Sequence, residues 1–196
     1  MDRTIQCNNA SGLTDAQNLV PSANKCALTP IKSAGSFVPD AGCSGLGTYT
    51  NTWNFTDACG VTISNFVQTI SIINTTPIVI PTDGAETVDC IADADGSTIT
   101  IPSVNDACGN PITASAPVIT ENPDPLTCEG TRTYTYTFTD CAGNSADWDF
   151  VYTIDTPAFT IANADGAETV DCIADATQPT APVVTDVCGN DITPVI

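Results

Sequence analysis

The stretch TRTYTYTFTDCAGN, Thr131 to Asn144, alternates threonine with aromatic residues and then stops at a cysteine, a glycine and an asparagine. Successive side chains of a β-strand point to opposite faces, so this rhythm predicts a strand that buries Tyr134, Tyr136 and Phe138 and leaves the threonines hydrated. Glycine and asparagine favour turns, which places Cys141 where a strand meets a loop. The stretch therefore predicts one strand of a half-buried sheet, closed by a turn that carries a cysteine.

The composition favours an exported protein without catalytic chemistry. The 196 residues include ten cysteines and no histidine, a usage typical of oxidising compartments. No Cys-x-x-Cys pair occurs, which argues against zinc. Because histidine, the usual general base, is absent, we expect no enzymatic activity.

The charge and the apolar runs exclude two classes of partner. Four Lys and Arg against 23 Asp and Glu give a formal net charge of −19, which repels nucleic acid and anionic membranes. Apolar runs such as PIVIP are too short to span a bilayer, and the first ten residues lack the apolar core of a signal peptide. We therefore expect no nucleic-acid binding, no membrane insertion, and an extracellular or cell-surface location.

The chain repeats itself at a regular interval. The segment DGAETVDCIADA begins at Asp83 and returns at Asp165, a spacing of 82 (165 − 83), and the cysteines follow a similar period, with four in each of the first two repeats and two in the third segment. This period has the size of one small sandwich domain in an array. The sequence thus predicts a first repeat at residues 1–79, a second at 80–159, and the first part of a third at 160–196.

The second repeat contains further strand patterns, and no segment of the chain has a useful helical period. Strands are predicted at Glu86–Ile91, Thr98–Val104 and Ile112–Thr120, and in ADWDFVYTI. In the last of these, one face carries four apolar residues, namely Trp148, Phe150, Tyr152 and Ile154. The first repeat follows the same pattern but is longer and less regular at Asn8–Ser36. An all-β fold is the prediction.

Three segments of the second repeat resemble a known family. VNDACGNPITASAPVI, CEGTRTYTYTFTDCAGN and FVYTIDTPAF are similar to the hyalin-repeat-like (HYR-like) domains that occur in tandem in large secreted surface proteins of bacteria. The match lies in the Asp-x-Cys-Gly turn, the aromatic-threonine strand and the final Thr-Ile before a Thr-Pro linker. The resemblance implies tandem immunoglobulin-like β-sandwich domains cross-linked by disulfides, with an adhesive or structural role and no catalysis.

Strand direction predicts how the cysteines pair. An extended strand of roughly 40 Å separates Cys128 from Cys141, whereas a disulfide needs α-carbons within about 7 Å, so these two cannot bond. If the strands run up and down, the Asp-Cys turns lie at one end of the sandwich and the other cysteines lie toward the opposite end. The predicted pairs are Cys90–Cys128, Cys108–Cys141, Cys7–Cys43 and Cys26–Cys59, and Cys172 and Cys188 of the third repeat are also expected to form disulfides, without an assigned partner. A bond between Cys90 and Cys108 would contradict this assignment and would make Cys172–Cys188 a self-contained pair.

The sequence also predicts a calcium site and three glycosylation sites. The loop ADADG, Ala92–Gly96, offers Asp93 and Asp95 to a hard cation, and Asp83 and Asp165 precede the repeats at their junctions, so calcium of millimolar affinity is a predicted ligand although no cofactor is required. The glycosylation pattern Asn-x-Ser/Thr occurs three times, at Asn9, Asn54 and Asn74.

These features favour a structural repeat of a surface fibre or long adhesin stalk that assembles head to tail. The alternative is a cell-adhesion module that binds a carbohydrate or protein ligand, with Asn8–Ser36 as the divergent segment. The expected partners are copies of the chain or further repeats of it, and other surface proteins or glycans. The third repeat stops before its aromatic-threonine strand, so we expect either more repeats in the same chain or a neighbouring molecule to supply the missing strands.

Overall fold

The computed structural model describes residues 1–22, 28–161, 166–178 and 180–193. Short and long strands dominate the first repeat, and an α-helix, α1, spans Ala10–Gln17. The strands of this repeat are β1 (Arg3–Gln6), β2 (Thr29–Ser33), β3 (Phe37–Asp40), β4 (Cys43–Thr56) and β5 (Thr62–Ile73).

The rest of the chain is also built from strands, with two 3-10 turns at Ile91–Asp93 and Ile173–Asp175. Its strands are β6 (Gly84–Val88), β7 (Val104–Asn105), β8 (Pro111–Ile112), β9 (Val118–Asn122), β10 (Gly130–Thr139), β11 (Ser145–Ile154), β12 (Val184–Thr185) and β13 (Asp191–Ile192).

The chain forms two compact units, and each takes residues from more than one repeat. The first unit contains Met1–Pro81, Ile101–Ala116 and Tyr136–Trp148, and the second contains Thr82–Thr100, Pro117–Thr135 and Asp149–Ile196. Segments of the second repeat therefore complete a unit that begins with the first repeat. The repeat boundaries near residues 79 and 159 stay a prediction, because they describe the sequence period and not the compact units.

The first unit is organised around the antiparallel pair of β4 and β5. In its sheet β1 lies parallel to β5, while β2 and β3 are antiparallel to β4. Alternate residues of a strand face the same side, so Ile70 and Ile72 of β5 both enter the core. They pack there with Leu46 of β4 and with Ala16 of α1. The helix thus covers one face of the sheet.

A pair of amides lies inside the first unit. Asn51 and Gln68 are directly opposite each other on β4 and β5, and both are fully buried. The Asn51 Nδ2 donates to Gln68 Oε1 at 3.1 Å and to Gln17 Oε1 at 3.0 Å, and the Gln68 Nε2 donates to the Ala16 carbonyl at 3.2 Å. Burial of these amides is tolerated because their polar atoms have partners.

A second sheet has the order β6, β11, β10, β9, and the second unit contains β6, β9, residues 130–135 of β10 and residues 149–154 of β11. Tyr134 of β10 and Tyr152 of β11 are both buried and meet edge to face with ring centroids 5.8 Å apart. The Tyr134 hydroxyl donates to the Ala94 carbonyl at 2.9 Å. Arg132 forms an ion pair with Glu121 at 2.7 Å and donates to the same Ala94 carbonyl, which fastens the 3-10 turn to the sheet.

The alternation rule of the opening stretch is confirmed. Tyr134, Tyr136 and Phe138 are 5%, 6% and 1% exposed, and on β11 Trp148, Tyr152 and Ile154 are buried as well. The predicted all-β, immunoglobulin-like fold cross-linked by disulfides is confirmed too. No helix in the part of the chain that the structure describes is long and apolar enough to cross a membrane.

Three expectations about local structure were wrong. Helix α1 forms although no helical period is visible, because eight residues are too few for a periodic signal and because the Asn9 Oδ1 caps it by accepting from the Gly12 N–H at 2.8 Å. Of the predicted strand Thr98–Val104, only Val104 lies in a strand, since Pro102 has no N–H to donate. The predicted strand Ile112–Thr120 is interrupted before Val118, where Pro117 breaks it.

Substitution of Gly130 by alanine tests the start of β10. Gly130 has a φ of +150°, and a Cβ there would lie 2.3 Å from the Asn122 carbonyl oxygen. We expect Gly130→Ala to lower the free energy of unfolding by about 3 kcal/mol, because the overlap involves backbone that cannot move aside. The control is Gly143→Ala, where φ is +90° but nothing lies within 4 Å of the added carbon, with an expected loss of about 1 kcal/mol. Equal losses in denaturant titrations would contradict the proposed overlap.

Candidate functional site

Four five-residue turns present cysteines at the surface and are called the cysteine turns here. Each begins with aspartate and has glycine as its fourth residue, and they are Asp57–Val61, Asp106–Asn110, Asp140–Asn144 and Asp186–Asn190. The cysteine is the third residue in three of them, at Cys59, Cys108 and Cys188, and the second in the other, at Cys141. The sequence predicted turns at this motif, and the structure agrees.

The same hydrogen bonds hold all four cysteine turns. In each, the aspartate N–H donates to the carbonyl of the fifth residue at 2.8 to 3.0 Å, and the glycine N–H donates to the aspartate carbonyl at 3.0 to 3.1 Å. The aspartate Oδ1 accepts from the N–H of the fifth residue at 2.7 to 2.9 Å. The glycine adopts a φ between +80° and +90°, a conformation that side chains other than glycine rarely adopt. The turns therefore hold the backbone of their cysteines in a fixed conformation.

The hydrogen bonds also favour the charged form of two of these aspartates, Asp106 and Asp186. At Asp106 burial opposes ionisation, but donors from the Asn110 side chain and backbone outweigh it and hold the pKa of the carboxyl below its usual range. At Asp186 the Asn190 side chain and backbone donate in the same way and lower the pKa. The charged carboxylate is thus part of the turn structure.

Three disulfides connect cysteine turns to residues about one hundred positions earlier. The bonds are Cys7–Cys108, Cys43–Cys141 and Cys90–Cys188, with sequence separations of 101, 98 and 98 residues. Their α-carbons are 5.4 to 5.6 Å apart, as a disulfide requires. Each separation exceeds the sequence period, so each bond joins a cysteine of one repeat to a turn cysteine of the next repeat.

The predicted pairing within repeats was therefore wrong. Cys7 and Cys43 each bond to a turn of the second repeat and not to each other, Cys90 bonds to Cys188 and not to Cys128, and Cys108 and Cys141 have separate partners. The prediction assumed that each repeat folds on itself, whereas the compact units combine segments of successive repeats. The statement that Cys128 and Cys141 do not bond to each other is confirmed, because β10 lies between them.

The remaining cysteines divide into two groups. Cys59, Cys128 and Cys172 have free, exposed thiols. Cys172 is thus not bonded to Cys188, and the predicted partner of Cys59, Cys26, lies outside the described residues. One free cysteine sits on a cysteine turn, and the other two lie outside such turns.

A buried hydrogen-bond pair fastens the Asp140–Asn144 turn to the end of the first repeat. Asn74 and Asp140 are 5% and 7% exposed, and the Asn74 Nδ2 donates to Asp140 Oδ2 at 2.9 Å. The Asn144 Nδ2 donates to the same Oδ2 at 2.8 Å and to the Asn74 carbonyl at 3.2 Å. Sequence reasoning missed this contact, because no local pattern shows which distant amide meets a turn aspartate.

The calcium prediction is neither supported by a ligand cluster nor replaced by another site. No group of three or more acidic, cysteine or histidine side chains that could hold a metal occurs among the described residues. Asp95 Oδ1 accepts from the Ser97 N–H at 2.8 Å, and the hydrogen bonds from Ser97 lower its pKa. Asp83 Oδ1 accepts from the Asp149 N–H at 3.0 Å. Asp93 is exposed, and Asp165 lies outside the described residues.

The three Asn-x-Ser/Thr positions have different environments. Asn9 is exposed but caps α1, and Asn54 lies in β4. The Asn74 side chain is buried and bonded to Asp140, so a glycan on its nitrogen would require that contact to break.

Comparison with known families gives one match. The model of a family described as HYR-like domain with four cysteines matches residues 78–154 and 160–196, which together make up more than half of the chain. No curated protein shows significant similarity to the chain.

Acid titration tests the charged carboxylates of the cysteine turns. A pKa that is lower in the folded protein than the unfolded value of about 4 gives stability that is present above that value and is lost as the pH falls through the folded pKa. We expect the free energy of unfolding to fall below about pH 4, and Asp106→Asn to lower it at pH 7 by about 1–2 kcal/mol while reducing the acid slope. The control is Asp124→Asn at an exposed aspartate. If denaturant titrations give Asp106→Asn and Asp124→Asn the same unfolding midpoint and the same dependence of stability on pH, the stabilising role of the Asp106 carboxylate is contradicted.

Proposed function

Because the chain belongs to the family of HYR-like domains with four cysteines, we propose that it is a non-catalytic structural repeat of an extracellular fibre or long adhesin stalk. The family consists of extracellular, adhesion-type repeats. The proposal adds a specific role, in which successive repeats form a head-to-tail array at a cell surface. Its partners are copies of the chain or further repeats, other surface proteins and glycans.

One observation carries this proposal, namely that each disulfide of the described residues joins one repeat to the next. A repeat that had to work alone would gain most from bonds within itself. Bonds that cross from repeat to repeat instead add a second covalent connection between successive repeats, besides the backbone. A disulfide that closes a loop of about one hundred residues also stabilises the fold by about 4–5 kcal/mol through the entropy of the unfolded chain.

The charge supports an exposed, non-catalytic role. A net charge of −19 keeps the surface soluble and disfavours association with nucleic acid or anionic membranes. The aspartates of the cysteine turns, which are the most conspicuous acidic groups, are used to hold backbone and not to face a substrate. This arrangement favours structure over acid–base chemistry.

A ligand-binding adhesion module is the second candidate, favoured by the divergent first repeat. Within Asn8–Ser36 the chain forms α1. A small cavity of about 220 Å³ lies there, lined by residues that include Arg3, Asp15 and Leu19. A cavity in a divergent segment is what a specific ligand would require.

Shape and covalent mass of the native material test the array. We expect electron microscopy of the full-length native protein to show elongated particles, and digestion at acidic residues without reductant to give peptides linked through Cys7–Cys108, Cys43–Cys141 and Cys90–Cys188. The matched control is the same digest after reduction, in which the linked peptides separate. Compact particles near 20.2 kDa would contradict the fibre and make the adhesion module the better proposal.

Calcium binding has its own test, which follows from Asp83. The Asp149 N–H donates to Asp83 Oδ1, and the Asp149 Oδ1 is buried without a hydrogen-bond partner among the described residues. A cation bound by both carboxylates would therefore satisfy the Asp149 Oδ1. We expect about 5 mM calcium to raise the melting temperature relative to chelator, and Asp83→Asn to remove the rise, since a ligand of the folded state stabilises it. The control is Asp147→Asn, on an exposed position of β11. Identical melting curves with calcium and chelator would show that the prediction is wrong.

A further inference from the structure

The second unit contains a cleft with a free thiol on its wall. The cleft has a volume of about 790 Å³, and its lining includes Cys128, the Cys90–Cys188 disulfide, Pro157 and Phe159. The Cys128 thiol is exposed and unbonded, and the ring of Phe159 is 47% exposed. An apolar ring and a thiol are thus left uncovered at one place.

In the first unit, the position that corresponds to this cleft is covered by a cysteine turn. Cys43 is the third cysteine of its repeat, as Cys128 is of the next, and it bonds to Cys141 on the turn between β10 and β11. With that turn seated, Cys43 is only 5% exposed, and the cleft that remains between Cys43, Asp106 and Cys141 has a volume of about 350 Å³. A cysteine turn therefore fills in the first unit the position that is open in the second.

The two positions share a glycine with the same backbone conformation. Gly47 lies four residues after Cys43 and Gly130 lies two residues after Cys128, and their φ values are +149° and +150°. A Cβ at either glycine would lie 2.2 or 2.3 Å from a carbonyl oxygen of the neighbouring strand, that of Val38 or Asn122. The next disulfide also corresponds, since Cys7–Cys108 has its counterpart in Cys90–Cys188. The wall that receives Cys141 in the first unit is thus present at Cys128 in the second.

The chain also carries a cysteine turn that has no partner. Cys59 lies one sequence period before Cys141 (141 − 59 = 82), on the turn between β4 and β5, and its thiol is free and exposed. The hydrogen bonds that hold this turn match those of the Asp140–Asn144 turn: the Asp57 N–H donates at 3.0 Å and Asp57 Oδ1 accepts at 2.8 Å, against 3.0 and 2.9 Å for Asp140. Its fifth residue, Val61, is 57% exposed and offers an apolar side chain.

We propose that the Cys128 cleft receives the Asp57–Val61 turn of a second copy of this chain, and that Cys128 of one copy forms a disulfide with Cys59 of the next. Cys59 and Cys128 can adopt the geometry of Cys43 and Cys141 only when a turn enters the cleft. In that complex Val61 and Phe159 would be covered together, which adds apolar burial to the covalent bond. The proposal rests on the proposed function, because it supplies the link from copy to copy in the array.

The chemistry of the link is an ordinary thiol–disulfide exchange. A small disulfide oxidant such as oxidised glutathione is attacked by one cysteine thiolate, which forms a mixed disulfide and releases one equivalent of reduced glutathione. The second cysteine thiolate then attacks the mixed disulfide, forms the Cys59–Cys128 bond and releases the second equivalent. Two thiol protons pass to the two glutathione molecules, so the two cysteines lose two electrons and the oxidant gains them.

A complementation experiment tests the pairing in the full chain. The background carries Cys26→Ser and Cys172→Ser, so that Cys59 and Cys128 are the remaining free thiols. With oxidised glutathione we expect this background to form a ladder of covalent oligomers on non-reducing gels. Cys59→Ser and Cys128→Ser, each added to the background, should stop the ladder. An equimolar mixture of these two variants should form a dimer about ten times faster than either alone, because the seated turn holds the two sulfurs together.

Different measurements test the Cys59–Cys128 pairing and the proposed fibre. Both cysteines are exposed, so equal melting temperatures are expected for all chains, and mass spectrometry of the dimer should give a peptide linked through Cys59 and Cys128. A mixture that forms dimer no faster than either variant alone, or a Cys128 bonded to another cysteine, would overturn the pairing. Elongated native particles that persist in Cys59→Ser would overturn the pairing and leave the fibre standing, whereas compact monomers under every oxidising condition would overturn both.

Discussion

The bond between a rigid cysteine turn and a cysteine about one hundred positions earlier is the constraint on which the rest of the structure depends. It determines which segments make up a compact unit, because Cys108 and Cys141 bring two pieces of the second repeat to the first. The aspartate of each turn fixes the backbone that carries the cysteine. The charged carboxylate, the positive-φ glycine and the disulfide therefore act together as one structural motif, and the same motif occurs at Cys188.

The same sheet position is filled by different chemistry in the two units. Asn51 lies four residues after Gly47, as Tyr134 lies four residues after Gly130, and both side chains are buried. Asn51 bonds to an amide opposite it, whereas the Tyr134 hydroxyl reaches the Ala94 carbonyl. In both cases the polar atom of an inward-facing residue finds a partner, which is the condition that burial imposes. The scaffold thus tolerates divergence in its core as long as hydrogen bonding is complete.

Local patterns predicted the strands and turns but not their long-range partners. Alternation identified the inward face at Tyr134, Tyr136 and Phe138, and the Asp-x-Cys-Gly motif identified the turns, because both depend on residues close in sequence. The sequence period showed that cysteines are equivalent, but equivalent cysteines can bond within a repeat or between repeats with the same local geometry. The contact of Asn74 with Asp140 and the short helix α1 left no periodic signal either. The disulfide pairs and the Asn74–Asp140 contact were missed because their partners are distant in sequence, whereas α1 was missed because it is short.

The order of the bonded cysteines along the chain, 7, 43, 90, 108, 141 and 188, makes the three disulfide loops overlap. A single backbone cut anywhere between Cys7 and Cys188 therefore leaves one covalent molecule. Under tension, the shortest covalent path from Cys7 to Cys188 runs through two disulfides and the short backbone segment from Cys90 to Cys108, and not along the whole intervening chain. Fully extended, that path measures about 70 Å instead of about 600 Å. Under load, the disulfides would therefore limit how far a string of such repeats can lengthen, even if every strand in it unfolded.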